Sequence, residues 1–295
     1  MKKIFEIGLI SLVVAAMSIP VMAGWGDRSV GASENYIWVS KDGNDTKGQG
    51  TEANPYLTVS KAFTVVTSSR KTIMLRPGTY SSTASLSWPN VNDVLITGMT
   101  ADYESTILYG TDGDEVVEIL PDATIGASGI NCIFANLMIG GADGVNGVQV
   151  TDTNMTAGKK LIVNFRNCGF YNKTDTDKSL VTTHTIACLI KVYIDGRGFG
   201  GNEISGLVYV DCFNVGDRFK ANGMNFQGGI EFSTDTVACE NEFYSCIMKL
   251  SGGAGGQDTQ VLRANGCISK DHMTQAAAVL GDFAANAEEA FLGLD

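Results

Sequence analysis

The residues that could perform acid–base chemistry are concentrated in the stretch KVYIDGRGFGGNE, which begins at Lys191. Lys191 and Asp195 are four positions apart, so on a β-strand both side chains point to the same face. Together with Arg197 they would place a base beside an acid. Lys and Asp pairs are also ordinary on a protein surface. We therefore predict no catalytic residue unless the protein is a lyase, and in that case these three are the candidates.

A second cluster, TDGDE, offers oxygen ligands for a hard cation. It contains Asp112, Asp114 and Glu115, and carboxylates are ligands that Ca²⁺ prefers. The same residues are typical of a plain polar turn. We predict no cofactor, with Ca²⁺ at these three acids as the alternative.

Histidines and cysteines point less clearly to a site. One of the two histidines, His184, lies in a Thr-rich segment, which predicts a surface residue rather than an acid–base group. The acids of NKTDTDK, including Asp177, are predicted to lie in a solvated loop. The seven cysteines contain no C-x-x-C pair, so their spacing suggests neither a zinc nor a thioredoxin-type site. Several lie in apolar runs, which predicts buried thiols.

The composition favours a globular protein built from strands. Hydrophobic residues make up 44% of the 295-residue chain, and glycine (35) far outnumbers proline (5). The formal net charge is −11 and basic runs never exceed a pair, which makes nucleic acid an improbable partner. The composition therefore predicts an all-β fold.

The first 23 residues have the features of an export signal. Two lysines precede an apolar run from Ile7 to Ala16, and Val21-Met22-Ala23 resembles a cleavage site. We predict a signal peptide over 1–23, a linker over 24–35, and a secreted or cell-surface protein without a membrane segment after cleavage. An uncleaved membrane anchor or an ordered arm in an assembly is the alternative.

From residue 36 onward, short apolar runs alternate with glycine-rich polar turns, without a dividing linker. Runs such as NFRNCGFYN (164–172) and NEFYSCIMK (241–249) resemble one another, as the turns of a stacked-repeat protein do. In parallel coils, like residues stack, and Asn or Asp can form ladders at the corners. A β-sandwich is the competing architecture, but Asn-Gly hairpin turns are few.

The N-terminal part of these repeats resembles a known family. Residues 36–80 contain an aromatic strand, Asp42-Gly43-Asn44-Asp45, Asn54-Pro55-Tyr56 and Pro77-Gly78-Thr79-Tyr80 in an order that resembles the start of pectate-lyase-like proteins. The resemblance implies a single right-handed parallel β-helix over 36–271. Neither the calcium-binding acids and base of its lyases nor the paired aspartates of its polygalacturonases are complete in this sequence.

Both ends of the predicted solenoid carry an amphipathic segment. Thr58 can cap a short helix whose apolar residues form one stripe, suited to closing the first coil. Residues 272–295 form a second predicted helix with a narrow apolar seam, which either caps the last coil or joins copies of the chain into a homo-oligomer.

These observations predict a non-catalytic extracellular structural or glycan-contacting protein, such as a cell-envelope, fibre or virion-surface component. Its partners would be a polysaccharide or a cell or virion surface. The alternative is a calcium-dependent polysaccharide lyase or glycoside hydrolase that acts on an acidic glycan. Fold alone does not decide between them.

Overall fold

The computed structural model describes residues 35–269, apart from 113–114, 173–176, 186–187, 198–200, 212, 215, 233–239, 249–260 and 266–267. The predicted signal peptide, most of the predicted linker and the predicted C-terminal helix lie outside these residues. Among the described residues, no helix has the length and apolar character needed to cross a membrane.

The described elements are mostly short strands. The helices are α1 (Val59–Thr64), a 3₁₀ turn (Tyr103–Ser105) and α2 (Ala123–Gly126). The strands, in chain order, are β1 (Tyr36–Val39), β2 (Thr72–Leu75), β3 (Gly78–Ser82), β4 (Leu86–Ser87), β5 (Val94–Gly98), β6 (Thr106–Gly110), β7 (Glu115–Ile119), β8 (Ile130–Ala135), β9 (Met138–Gly141), β10 (Asn146–Thr151), β11 (Lys160–Arg166), β12 (Gly169–Asn172), β13 (Lys178–Thr183), β14 (Leu189–Asp195), β15 (Asn202–Ile204), β16 (Leu207–Val210), β17 (Arg218–Asn222), β18 (Met224–Phe226), β19 (Ile230–Phe232), β20 (Glu240–Tyr244), β21 (Ile247–Met248), β22 (Val261–Asn265) and β23 (Ile268–Ser269).

These strands form three parallel sheets, which are the three sides of a solenoid. Sheet 1 has the order β1-β2-β5-β8-β11-β14-β17-β20-β22, sheet 2 the order β4-β7-β10-β13-β16-β19, and sheet 3 the order β3-β6-β9-β12-β15-β18-β21-β23. Each complete coil passes through sheet 1, then sheet 3, then sheet 2, as β8, β9 and β10 do. The predicted all-β parallel β-helix is confirmed.

Alternation along the strands places one row of side chains inside the solenoid. In β11, Leu161, Val163 and Phe165 are fully buried, while the residues between them face outward. Aromatic rings pack inside the solenoid. Measured between ring centroids, Phe165 lies 4.9 Å from Phe134 of the preceding coil, in a stacked arrangement, and 5.1 Å from Phe170 of the same coil, edge to face. Burial of these rings contributes to the stability of the core.

An asparagine ladder forms the corner between sheet 1 and sheet 3. Asn167 donates a side-chain hydrogen bond to Asn136 (2.8 Å) and accepts one from Asn202 (3.2 Å). Asn136 and Asn167 have φ values of 53° and 52°, in the left-handed region that asparagine tolerates better than most residues. The predicted corner ladder is therefore present.

Helix α1 closes the N-terminal end as predicted. Thr58 accepts a hydrogen bond from the backbone N–H of Lys61, and Asp45 accepts bonds from the backbone N–H groups of Leu57 and Thr58. Val59, Ala62 and Phe63 are buried against the first coils. Asp45, from the Asp42-Gly43-Asn44-Asp45 turn, thus holds the N-terminus of this capping helix in place.

The chain turns at Pro77 between β2 and β3. One segment differs from the sequence prediction. Lys178–Thr183 is a strand, although the segment was expected to be polar turn and loop. Its Ser179 and Thr182 are fully buried and bond neighbouring coils, so polarity did not indicate exposure here.

The prediction of buried thiols is confirmed for the described cysteines. Cys132, Cys168, Cys188 and Cys246 are buried, and the first three form no disulfide. Cys212, Cys239 and Cys267 lie outside the described residues.

Candidate functional site

A groove of about 600 Å³ runs along the outer face of sheet 3. Strands β3, β6, β9 and β12 form its floor, and a continuous ladder fixes their register. The groove is lined by Thr79, Ser81, Glu104, Ile107, Tyr109, Met138 and Tyr171. It is therefore an apolar surface edged by hydroxyl groups and one carboxylate.

Two tyrosines stand on this floor in one row. Pairing aligns Ser81 with Tyr109, Tyr109 with Gly140, and Gly140 with Tyr171. With adjacent strands about 4.8 Å apart, the Cα atoms of the two tyrosines are separated by roughly 9.6 Å. Gly140 has no side chain to fill the space between them. Tyr171 is 52% exposed, so its side chain is accessible from solvent.

One wall of the groove comes from the 3₁₀ turn. Glu104 lines the groove, and the neighbouring Tyr103 lies against Gly169 so closely that a Cβ there would be 2.5 Å from the Tyr103 ring. Burial and the nearby Glu104 carboxylate raise the pKa of Tyr103. Glycine at position 169 therefore makes room for a neutral phenol beside the groove.

A second polar cluster lies inside the solenoid, at the corner between sheets 2 and 1. Asp152 follows β10, His184 follows β13, and Cys188 precedes β14. Oδ2 of Asp152 lies 3.0 Å from Nδ1 of His184 and accepts a bond from the Cys188 thiol at 3.1 Å. The other oxygen, Oδ1, accepts bonds from the backbone N–H and hydroxyl of Thr185, at 2.6 and 3.0 Å.

Asp217 holds the other side of the His184 ring. Its Oδ2 is 3.3 Å from Nε2 of His184, although Nε2 makes no hydrogen bond in this geometry. Asp217 also accepts three backbone N–H bonds, from Ile190, Phe213 and Asn214. The chain thus builds a carboxylate–imidazole–carboxylate row, with a thiol on one carboxylate.

Burial and hydrogen bonds shift the pKa values in this cluster in different directions. Burial alone would raise the pKa of Asp152, but bonds from Thr185 and Cys188 and the neighbouring His184 lower it below its usual value. Burial raises the pKa of Asp217 in spite of His184 and the backbone donors. Burial and the Asp152 carboxylate also raise the pKa of the Cys188 thiol, which favours its protonated form.

Comparison with known proteins gives one assignment. Residues 41–249, most of the chain, match the family described as "Protein of unknown function (DUF1565)". The chain belongs to this family. A comparison with curated protein sequences gives no match.

Among solved structures, this DUF1565 protein is similar to two pectin methylesterases. The enzyme from Aspergillus niger, in deglycosylated form, shares 12% identity with a TM-score of 0.38, over 88% of this chain and 91% of that one. The enzyme from carrot shares 11% identity with a TM-score of 0.33, over 81% and 89%.

The predicted lyase residues lie on sheet 1 of this DUF1565 protein, on a different side from the groove. Lys191 and Asp195 face outward from β14, but four residues of strand separate their Cα atoms by roughly 13 Å. Arg197 follows the strand and is exposed. The strand thus spaces the lysine and the aspartate too widely for a direct hydrogen bond.

Next to Lys191, the outer face of sheet 1 carries paired charges. Arg218 forms an ion pair with Glu240, and Lys220 lies 3.6 Å from Glu242 and over the ring of Tyr244. The half-exposed Arg218–Glu240 pair contributes little to stability. Both pairs place opposite charges next to one another on these strands.

The predicted calcium ligands are only partly described. Asp112 is exposed on the turn after β6, Glu115 begins β7 and is buried, and Asp114 lies outside the described residues. Calcium at this turn stays a prediction.

Two interpretations of polar residues were wrong. His184, expected at the surface, has a fully buried ring side chain between Asp152 and Asp217. Asp177, expected in a solvated loop, is buried and accepts a bond from the backbone N–H of Gly144. Asp152 and Asp217 were not anticipated, because a single aspartate in a turn gives no sign of its partners in the next coils. Tyr109 and Tyr171 lay in predicted strands, but their common groove depends on register.

Proposed function

We propose that the protein is a non-catalytic, glycan-binding β-helix that holds a neutral saccharide in the groove on sheet 3. The observation that carries this proposal is the pair of tyrosines, Tyr109 and Tyr171, on a rigid floor with Gly140 between them. Aromatic rings offer flat apolar faces that suit the C–H faces of sugar rings, while their hydroxyl groups stay in contact with water.

The polar edge of the groove complements sugar hydroxyls. Thr79 and Ser81 each provide a hydroxyl that both donates and accepts, and Glu104 provides an acceptor. Ligand sites commonly combine an apolar floor with a few such polar groups. Thr79 and Ser81 lie on β3, which is hydrogen-bonded to β6. Ligand binding therefore requires little ordering of the backbone there.

Charge favours a neutral glycan over an acidic one. Among the described residues that line the groove, Glu104 is acidic and none is basic, and the whole chain has a net charge of −11. An acidic polymer would meet repulsion without a compensating cation.

A cell-envelope location is part of the same proposal. It rests on the export signal predicted at the N-terminus, and a binding groove along one side of a stiff solenoid suits a protein that contacts an extended polymer.

The test is a screen of neutral and acidic oligosaccharides with the intact chain and two variants. Tyr171→Ala should weaken binding to the best neutral ligand by about tenfold or more, because truncating a tyrosine at the centre of a binding surface commonly costs on the order of 2 kcal/mol. Tyr193→Ala, which removes a partly exposed tyrosine from sheet 1, is the matched control and should leave affinity unchanged.

The same screen distinguishes the alternative function. Preferential binding of acidic glycans with calcium, accompanied by unsaturated product and abolished by replacing Lys191, would overturn the proposal. Equal loss of neutral-glycan affinity in both tyrosine variants would also contradict it.

A further inference from the structure

The buried cluster of Asp152, His184 and Cys188 has the donor set of a metal site. One ligand atom from each residue lies within 4.8 Å of the others. Oxygen, imidazole nitrogen and thiolate together are ligands that Zn²⁺ takes in proteins. In a tetrahedral zinc site, neighbouring ligand atoms lie about 3.3–3.6 Å apart. Oδ2 of Asp152 is already 3.0 Å from Nδ1 of His184 and 3.1 Å from Sγ of Cys188.

The His184 ring lies between two buried carboxylates. Its Nδ1 is 3.0 Å from Oδ2 of Asp152, and its Nε2 is 3.3 Å from Oδ2 of Asp217 without a hydrogen bond. One ring nitrogen thus faces the other candidate ligands, while a carboxylate stands at the second nitrogen, where histidine ligands usually have a supporting partner.

A metal ion at Nδ1 would leave the ring proton on Nε2, where it points at Asp217. This is the carboxylate–histidine–metal arrangement that orients histidine ligands in many sites. Asp217 is itself fixed by three backbone N–H donors. On the other ligand, Thr185 bonds to Oδ1 of Asp152, while Oδ2 lies next to His184 and Cys188. Both supporting carboxylate orientations are thus already built.

We propose that Asp152 Oδ2, His184 Nδ1 and Cys188 Sγ bind one Zn²⁺ ion, with Asp217 as the residue that positions His184. Cys188 binds as the thiolate and releases its proton to solvent, and water takes the fourth position. The site connects consecutive coils, since its ligands follow β10 and β13 and precede β14. It is independent of the groove on sheet 3, so either proposal can fail without the other.

One partly exposed ring lies next to the cluster. The ring of Phe213 stacks on that of His184 at 5.8 Å between centroids, and Phe213 is 42% exposed. A metal ion that reaches His184 from this side would pass Phe213.

Cobalt titration of the chelator-treated full chain tests the site, because a thiolate ligand gives Co²⁺ a near-ultraviolet charge-transfer band. We expect one Co²⁺ per chain, displacement by Zn²⁺, and a higher melting temperature with Zn²⁺. Cys188→Ser should abolish the band. Cys168→Ser, which alters another buried thiol outside the cluster, should keep it. Asp217→Asn should lower Zn²⁺ affinity by about 10–100-fold.

X-ray absorption of the zinc-loaded wild-type chain is a readout that does not depend on whether a variant folds. We expect one sulfur and otherwise nitrogen and oxygen around the zinc. A wild-type chain without the cobalt band, a band that persists in Cys188→Ser, or a zinc shell with no sulfur or with several would overturn the proposal.

Discussion

Replacing Asn167 tests whether the corner ladder stabilises the solenoid. The Asn167 side chain donates bonds to Asn136 and to the carbonyl of Ala101, both at 2.8 Å, and accepts one from Asn202. At about 1 kcal/mol for each net hydrogen bond, truncation removes about 3 kcal/mol. Alanine must also adopt the φ of 52° at this position, which costs a further 1–2 kcal/mol or so.

The two contributions separate in a pair of variants. Asn167→Ala should lower the free energy of unfolding by about 4 kcal/mol, from the lost bonds and the left-handed backbone. Asn167→Gly loses the same bonds without the backbone cost, but its unfolded chain is more flexible, so it should be more stable than the alanine variant by roughly 0.5–1 kcal/mol.

Denaturant unfolding, followed by circular dichroism, measures both values, and a constant m-value confirms that the same surface is exposed in each variant. Hydrogen exchange at residues 136 and 202 would show whether the loss is local to the corner. A loss below about 1 kcal/mol in both variants would refute the ladder's role, because three bonds of ordinary strength could not then be present. A glycine variant less stable than the alanine variant would refute the backbone argument.

Two other predictions concern the N-terminal coils. Thr58→Ala should lower the free energy of unfolding by about 1 kcal/mol, because the hydroxyl caps the N-terminus of α1, and thermal unfolding measures the change. Burial raises the pKa of Tyr80 to about 12, and its hydroxyl donates to the carbonyl of Arg76. Because the folded-state pKa is the higher one, this stabilisation is complete below the unfolded pKa of about 10 and is lost as pH rises towards 12. Tyr80→Phe should remove that part of the pH dependence, and an unchanged alkaline unfolding profile would contradict the assignment.

The solenoid was predictable because its signals are local and repeated. The cap at Thr58 depends on residues within one helical turn, and strands such as β8 and β11 alternate buried and outward residues in the sequence itself. The strand at Lys178–Thr183 was harder to predict, because its polar Ser and Thr side chains are buried where neighbouring coils supply hydrogen-bond donors.

Both candidate sites depend on register between coils, which no short stretch of sequence reveals. Tyr109 and Tyr171 share a groove because β6, β9 and β12 align them across Gly140. Similarly, Asp152 and His184 meet because their turns follow adjacent strands of sheet 2. The Thr-rich segment around His184 suggested an exposed side chain. The two carboxylates on either side of its ring, however, come from other coils.

Glycan binding in the sheet 3 groove is tested most directly by a crystal structure of the full chain with the tightest neutral oligosaccharide from the screen. We predict one sugar ring stacked on Tyr171, a second sugar ring near Tyr109, and hydrogen bonds from the sugar hydroxyls to Ser81 or Glu104. A saccharide bound instead across Lys191 and Asp195 on sheet 1, or no saccharide in the groove at saturating concentration, would contradict it.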